Sequence, residues 1–197
     1  MPLDYSESSS ILLRDGVACT FRRASKDDIS RLIEIDESAS GLFEPTGLLS
    51  ADSLADHVPA EALAQAVSKG WLIAAYTEEE LAIGFVMATE KGEALYIDQI
   101  SVDPAMGRSG IGRALMRYIE QEAVSAGFRE LTLSTFRDVA WNAPFYASLG
   151  YKHIKRADFL PYMLEIEAAQ AAHMDVSKRT FMRKRLRKRL FRARTGA

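Results

Sequence analysis

The stretch Ile100-Ser-Val-Asp-Pro-Ala-Met-Gly-Arg-Ser-Gly-Ile-Gly-Arg-Ala-Leu115 decides how the chain is read. Its first residues finish a strand-like run, 94–102. Its last residues open a helix predicted over 110–126, with Ile111, Ala114, Leu115, Tyr118, Ile119 and Val124 on the apolar side and Gly127 as the stop. Between them, Gly107, Gly110 and Gly112 let main-chain N–H groups close around an anion. The helix N-terminus adds the positive end of its dipole, and Arg108 and Arg113 add full charge. The stretch reads as a cradle for a pyrophosphate.

Two kinds of pyrophosphate are excluded by the order of residues. A nucleoside triphosphate loop needs Gly-Lys-Ser/Thr after its spacer, and this loop ends Gly-Ile-Gly-Arg. A dinucleotide fingerprint is G-x-G-x-x-G, whereas the order here is G-x-x-G-x-G at 107, 110 and 112. Glu130, the acid about twenty residues on, comes before the next strand rather than at its far end. Coenzyme A remains. The other reading is a helix start that needs glycines only for close packing.

Working outward, 71–76, 81–89 and 94–102 are three strand candidates joined by short polar turns, which favours an antiparallel meander. Upstream lie a short strand at 17–22, a helix from an N-cap at Ser25 to about Ala39, and helical pattern over 50–69 interrupted at Pro59. Downstream come a strand at 131–136, a short helix at 142–149, a strand at 151–156, a helix at 161–173 and a last strand at 179–186. This order predicts a mixed α/β fold on a single sheet.

The chain has 197 residues, 48% of them hydrophobic, enough for one ordinary domain and against wholesale disorder. One cysteine, Cys19, cannot form an internal disulfide, and three scattered histidines give no zinc spacing, so no metal is expected. No apolar run approaches the roughly 20 residues that cross a bilayer. The start, MPLDYSESSS, lacks the pattern of a signal peptide, so a cytoplasmic location is expected. The net charge of −2 hides an asymmetry: residues 178–197 carry ten Lys/Arg and no acid, while the first 177 hold 15 basic residues against all 27 acids. Such an acidic body repels polyanions and favours cationic partners. Residues 1–13 read as a mobile leader, 14–186 as the domain and 187–197 as a basic tail.

Three matches in order resemble the GNAT superfamily of acyl-CoA-dependent N-acetyltransferases. They are the strand ending Ile-Ser-Val-Asp-Pro104 with its loop at Gly107–Gly112, the helix ending Ser-Ala-Gly-Phe128 followed by a strand, and Asn142-Ala-Pro-Phe-Tyr146-Ala-Ser-Leu-Gly-Tyr151. The departure is Gly107, where the family usually has Gln or Arg; Arg108 stands one place later. The resemblance implies an α/β fold of the GNAT type: a mixed, mostly antiparallel central sheet of about six to seven strands flanked by helices. It implies acetyl-CoA as co-substrate, lying between the strands 94–102 and 131–136. The backbone of Ile100, Ser101 and Val102 would pair with its pantetheine arm, and Gly107, Arg108, Ser109, Gly110, Ile111, Gly112 and Arg113 would hold its phosphates.

In the family a tyrosine at the place of Tyr146 protonates the leaving thiolate, against a bland reading in which Tyr146 packs beside Phe145 and Tyr151. Asp98, expected on the same face as Ile100 by strand alternation, is the candidate base; the alternative is a strand aspartate bonded to a neighbour. Asn142 either caps the short helix or touches the co-substrate. Trp141 and Phe136 line an acceptor pocket or merely pack, and Phe43 and Glu44 are further acceptor-side candidates. The predicted activity is acetyl transfer to a primary amine of a small molecule or peptide. An aminoacyl-RNA acceptor held by the basic end and a catalytically silent CoA-binding module are the alternatives. A homodimer, and contact of the tail with nucleic acid or an anionic membrane, are secondary partner readings.

Overall fold

The computed structural model describes residues 11–12, 18–55 and 57–186. Residues 1–10 and 13 of the expected leader, residues 14–17 of the expected domain and the basic tail 187–197 lie outside the described residues.

Strand β4 (Ala82–Lys91) is buried from Ala82 to Ala88 without a break, as a strand covered on both faces must be. It pairs antiparallel with β3 (Leu72–Tyr76) on one side and with β5 (Ala94–Val102) on the other, the meander expected from the short turns. β3 continues to β2 (Ala18–Arg23) and then to the two-residue β1 (Ile11–Leu12), which pairs with β2. Ile11 and Leu12 thus form the edge of the sheet among the described residues.

Beyond β5 the direction changes. β6 (Glu130–Phe136) runs parallel to β5, and the closing strand β8 (Arg179–Arg185) runs antiparallel between β6 and the short β7 (Lys152–His153). The sheet order is β1-β2-β3-β4-β5-β6-β8-β7. This is the mixed, mostly antiparallel α/β architecture expected, with eight strands among the described residues because two-residue pieces close both edges. The predicted strand 151–156 shrinks to Lys152–His153, since Ile154 turns inward to pack with Tyr96, Met163 and Phe181.

Helices cover the two faces. α4 (Ile111–Ala126) lays Ile111, Ala114, Leu115, Met116, Ile119 and Ala123 against β3, β4 and β5. On the opposite face α1 (Ile29–Ser40) and α3 (Ala60–Lys69) bury Leu32, Ile35 and Leu63 on Leu72, Phe85 and Met87. The Ser25 N-cap forms a full capping box with Asp28 just before α1. Two short helices, α2 (Ala51–Ala55) and α5 (Ala143–Ser148), and α6 (Pro161–Ala171) complete the set. Among the described residues no helix is long and apolar enough to cross a membrane.

Candidate active site

The parallel ladder between β5 and β6 ends at Ile97 opposite Leu133. Past that point β6 pairs only with β8, so β5 and β6 part and leave a gap. At the same level β5 carries a bulge. Met87 faces Gln99 while its neighbour Ala88 faces Ile97, so Asp98 is the extra residue. The bulge reverses the alternation: Leu95 and Ile97 point to the α4 side before it, and Ile100 and Val102 do so after it. Asp98 therefore does not share a face with Ile100, as unbroken alternation predicted.

The main chain of β5 beyond the bulge is equally specific. The Asp103 N–H bonds the Ile83 carbonyl at 3.0 Å, and the register runs Gly84 to Val102, Phe85 to Ser101 and Val86 to Ile100. Antiparallel pairs alternate between bonded and non-bonded positions, so Ser101 turns its main chain to β4 while Ile100 and Val102 turn theirs to the gap. The Ser101 side chain is buried and donates to Asp36 Oδ1 at 2.6 Å. Ser101 is corrected on both counts: neither its main chain nor its hydroxyl faces the gap. Ile100 and Val102 do face it.

The loop after β5 is braced from within. Asp103 accepts from the Ala105 N–H at 3.0 Å and pairs with Arg31 at 2.6 Å, which fixes the turn Pro104–Met106. The buried Ser109 hydroxyl donates to the Met106 carbonyl at 2.6 Å, so its contribution to a ligand is its amide alone. Arg108 and Gly110 both have positive φ, 64° and 99°, a backbone shape that turns successive amides to one side. The N–H groups of residues 108–113 donate to no other described residue. They line a cavity of about 780 Å³ together with Ile100, Val102, Trp141 and Tyr146. Arg108 is exposed at its rim, and Arg113 bonds Ser148 Oγ at 2.8 Å, tying the start of α4 to α5.

A second cavity, of about 270 Å³, opens on the other side of the gap. Asp98, Gln170 and Arg179 give it polar groups, and Phe43, Leu49, Phe136 and Met174 give it apolar walls. Tyr146, Asn142 and Ile100 line both cavities and form the partition between them.

Tyr146 is 7% exposed, and its hydroxyl makes no hydrogen bond with a described residue. Its ring is set between Phe145 and Tyr151, with centroids 5.2 and 5.8 Å away. Burial raises its pKa above the ordinary phenol value, and the positive charge of Arg179 acts in the opposite direction. Asn142 stands before α5 but makes no side-chain cap, which corrects the capping reading. Its Oδ1 instead accepts from Thr135 Oγ1 at 2.8 Å, leaving a buried Nδ2 without a partner among the described residues. Such an orphan is rare in a finished core and points to a missing acceptor. Asp98 is itself exposed to the cavity, yet the surrounding walls displace much of the bulk water. That desolvation pushes its carboxyl up to about 6, with Thr89 and Lys91 pulling the other way.

The amides of 108–113 and the orphaned Asn142 amide suit the diphosphate and the polar arm of a CoA thioester, a fit drawn from donors that no described residue satisfies. A family model described as the acetyltransferase (GNAT) family matches residues 35–151. The chain belongs to the GNAT acetyltransferase family. It is an N-acetyltransferase by that membership, and its co-substrate is acetyl-CoA.

Solved structures share this GNAT fold at low identity. PaiA N-acetyltransferase of Thermoplasma acidophilum, in complex with coenzyme A, is 17% identical with a TM-score of 0.64, over 85% of this chain and 98% of its own. The ribosomal-protein-S18-alanine N-acetyltransferase of Escherichia coli is 16% identical with a TM-score of 0.61, over 85% and 94%. N-acetylglutamate synthase of Neisseria gonorrhoeae, complexed with coenzyme A and N-acetyl-glutamate, is 16% identical with a TM-score of 0.64 over 86% of this chain but only 35% of its own.

The structure brings Tyr146, Asp98, Asn142, Ile100, Val102 and the loop 107–113 around one gap. Glu44 is exposed and lines neither cavity, whereas the Phe43 ring packs at a tilt against Phe136, centroids 5.6 Å apart, and edge-on against Trp141 at 5.9 Å. Phe136 is a buried wall of the smaller cavity and Trp141 a half-exposed rim of the larger. Sequence reasoning missed Gln170 and Arg179: Arg179 reads there only as the start of the last strand, within a run of basic residues that begins at Lys178. Among the described residues no group of three or more His, Cys, Asp or Glu is placed to hold a metal ion.

Proposed function

We propose that the chain transfers the acetyl group of acetyl-CoA directly to a primary amine of a small molecule or peptide. The thioester side is the cavity of the 107–113 loop, and the acceptor side is the smaller cavity containing Asp98. The observation that carries this is the position of Tyr146 in the partition between them, with its hydroxyl uncommitted.

The amine nitrogen bonds to the thioester carbonyl carbon, and the C–S bond then breaks to give the amide and CoA thiol. Asp98 accepts the proton that the amine loses, through water. Ionised Asp98 is a competent acceptor near neutral pH because desolvation has raised its basicity. The outward N–H of Val102 stabilises charge on the carbonyl oxygen. Tyr146 gives its proton to the thiolate and regains one from solvent; a phenol ordinarily at 10 is kept protonated by its burial. The relatives named above act, by their names, on a protein alanine and in N-acetylglutamate synthesis, which supports an amine acceptor and leaves its size open. Calorimetry with acetyl-CoA and a thiol-release screen over amines test the proposal. Micromolar acetyl-CoA binding with turnover on at least one amine is expected; binding with no turnover on any amine overturns it.

A further inference from the structure

The smaller cavity holds a charge that acyl transfer does not use. Arg179 starts β8 opposite Phe136 and lies with its guanidinium carbon 4.8 Å from that ring. Its Nε donates to Ser134 Oγ at 3.1 Å, one terminal nitrogen donates to the Ser134 carbonyl at 2.8 Å, and the other reaches Met174 Sδ at 3.4 Å. A guanidinium has five N–H groups, so one remains on each terminal nitrogen. Arg22, Arg23, Arg31, Arg129 and Arg156 each pair with a carboxylate. The half-buried Arg113, Arg179 and Arg183 have no carboxylate partner among the described residues, and of these three Arg179 is the one that lines the smaller cavity. Burial of this cation lowers its pKa, and the groups acting against that are the phenols of Tyr96 and Tyr146, not an acid. A chain with 27 acids has therefore left a half-buried guanidinium unpaired, at a cavity wall.

Beside it, Gln170 accepts from Ser134 Oγ at 3.0 Å, which leaves its side-chain N–H₂ uncommitted among the described residues. The carboxylate Asp98 and the partition residue Tyr146 line the same cavity. The cavity thus combines the donors of Arg179 and Gln170, the carboxylate of Asp98, the partition residue Tyr146 and the apolar side chains of Phe43, Leu49 and Met174. We infer that the acceptor is a free amino acid with an apolar side chain, its carboxylate held by Arg179 and its amine turned to Asp98 and Tyr146. This rests on the acyl-transfer reading and narrows it. The cavity of about 270 Å³ lies just below the range of drug-sized ligand sites, roughly 300–1,000 Å³, and suits one amino acid rather than a peptide segment. Bidentate binding of a carboxylate is the ordinary use of such a guanidinium.

The test compares the free L-α-amino acids with their carboxamides, which keep the amine and side chain but lose the anion. Thiol release with acetyl-CoA gives kcat/KM for each pair, and calorimetry gives binding of each compound to the protein saturated with CoA. The wild-type chain is expected to prefer an apolar acid over its carboxamide by at least tenfold. That ratio falls to near one in Arg179→Gln and is partly restored in Arg179→Lys, which keeps a cation. A wild-type ratio near one, or a ratio that Arg179→Gln leaves intact, overturns the inference; the first outcome points to a peptide N-terminus. Acid-selective binding without turnover on any amine overturns the acyl-transfer reading instead. Failure of every free acid to bind the CoA-saturated chain overturns the inference whether or not the variants fold.

Discussion

Ile97 and Leu133 are the last partners of the parallel pair β5–β6, and the residue that follows Ile97 is the bulged Asp98. The end of the ladder and the bulge coincide, and each needs the other. A ladder that continued would satisfy the outward amides of Ile100 and Val102 and close the gap. A strand without the bulge would turn those amides toward β4 and present Gln99 and Ser101 to the gap. Together they produce an open edge of main-chain donors and acceptors on a buried sheet, a place where an extended arm can add as a strand.

Among the described residues Tyr146 is the one phenol lining both cavities, and its removal isolates proton delivery from binding. Tyr146→Phe keeps the ring contacts with Phe145 and Tyr151 and deletes an oxygen that bonds to no described residue, so the fold loses little. A positioned general acid contributes about 10²–10⁴-fold, so kcat should fall by at least about 10²-fold. The acetyl-CoA dissociation constant, measured by calorimetry, should move by less than about threefold, below 1 kcal/mol. Unchanged turnover at saturating acetyl-CoA removes Tyr146 from the mechanism.

Asp98 carries a pH prediction with a definite sign. A base must be ionised, and its carboxyl is raised from 3.8 to about 6 by desolvation, so kcat/KM should rise with pH through about 6. Asp98→Asn should lower the rate and remove that limb; an unshifted profile clears Asp98 of the role. Stability moves the opposite way. A carboxyl whose folded-state pKa lies above its unfolded value favours folding while protonated, and that contribution is lost as pH rises through the folded pKa. The stability of Asp98→Asn relative to wild type, read by urea unfolding, should therefore increase as pH goes from about 4 to above about 6.

Much of this arrangement was legible in the residues. The meander, α4 and the 107–113 loop follow from local pattern, because strand alternation, turn chemistry and helix periodicity are all short-range properties. The bulge at Asp98 was not legible, since it is a register relation between β4 and β5 and leaves no mark in the alternation of ALYIDQISV. That one relation moved Asp98 off the face of Ile100 and took Ser101 out of the gap. Asn142 misled for a different reason. Its position before α5 is that of a cap, but Thr135, seven residues back in sequence, reaches its oxygen first. Arg179 was legible as the first residue of the last strand, but only the β6–β8 register, a long-range relation, brings it over Phe136.

The two glycines at the head of α4 should separate folding from ligand binding. Gly110 has φ +99°, and a Cβ there would meet nothing within 4 Å, so Gly110→Ala suffers only backbone strain, of about 1–3 kcal/mol, with a matching fall in unfolding free energy. Gly112 lies inside α4, where a Cβ would make ordinary contacts at 3.8 Å with Val102 and 3.9 Å with Phe145. Replacing a helical glycine by alanine favours the helix by up to about 1 kcal/mol, so Gly112→Ala should unfold no earlier than wild type. Its methyl nevertheless enters the wall of the larger cavity, between two residues that line it. Weakened acetyl-CoA binding at undiminished melting temperature is the expected pair of results. Undiminished binding would mean that the glycine serves the helix alone.

Asp36 is the buried fastener that holds β5 against α1. Its Oδ1 accepts from Ser101 Oγ at 2.6 Å and from Gln99 Nε2 at 2.7 Å, and its Oδ2 accepts the Val58 N–H at 2.9 Å. Asp36 is 3% exposed, so water cannot replace it without rearrangement. Asp36→Ala leaves three donors facing an empty space, and with about 1–3 kcal/mol for each unsatisfied buried group and some relaxation, a loss of about 2–4 kcal/mol is expected in urea unfolding. Asp36→Asn keeps the shape but places an N–H₂ where an acceptor is needed, either against Val58 or against the Gln99 and Ser101 pair. It should therefore recover less than half of that loss. Full recovery by Asn would show that shape, not acceptor count, holds the two elements together. Because Ser101 anchors the strand whose neighbours Ile100 and Val102 line the gap, acetyl-CoA binding of the folded fraction should weaken in both variants.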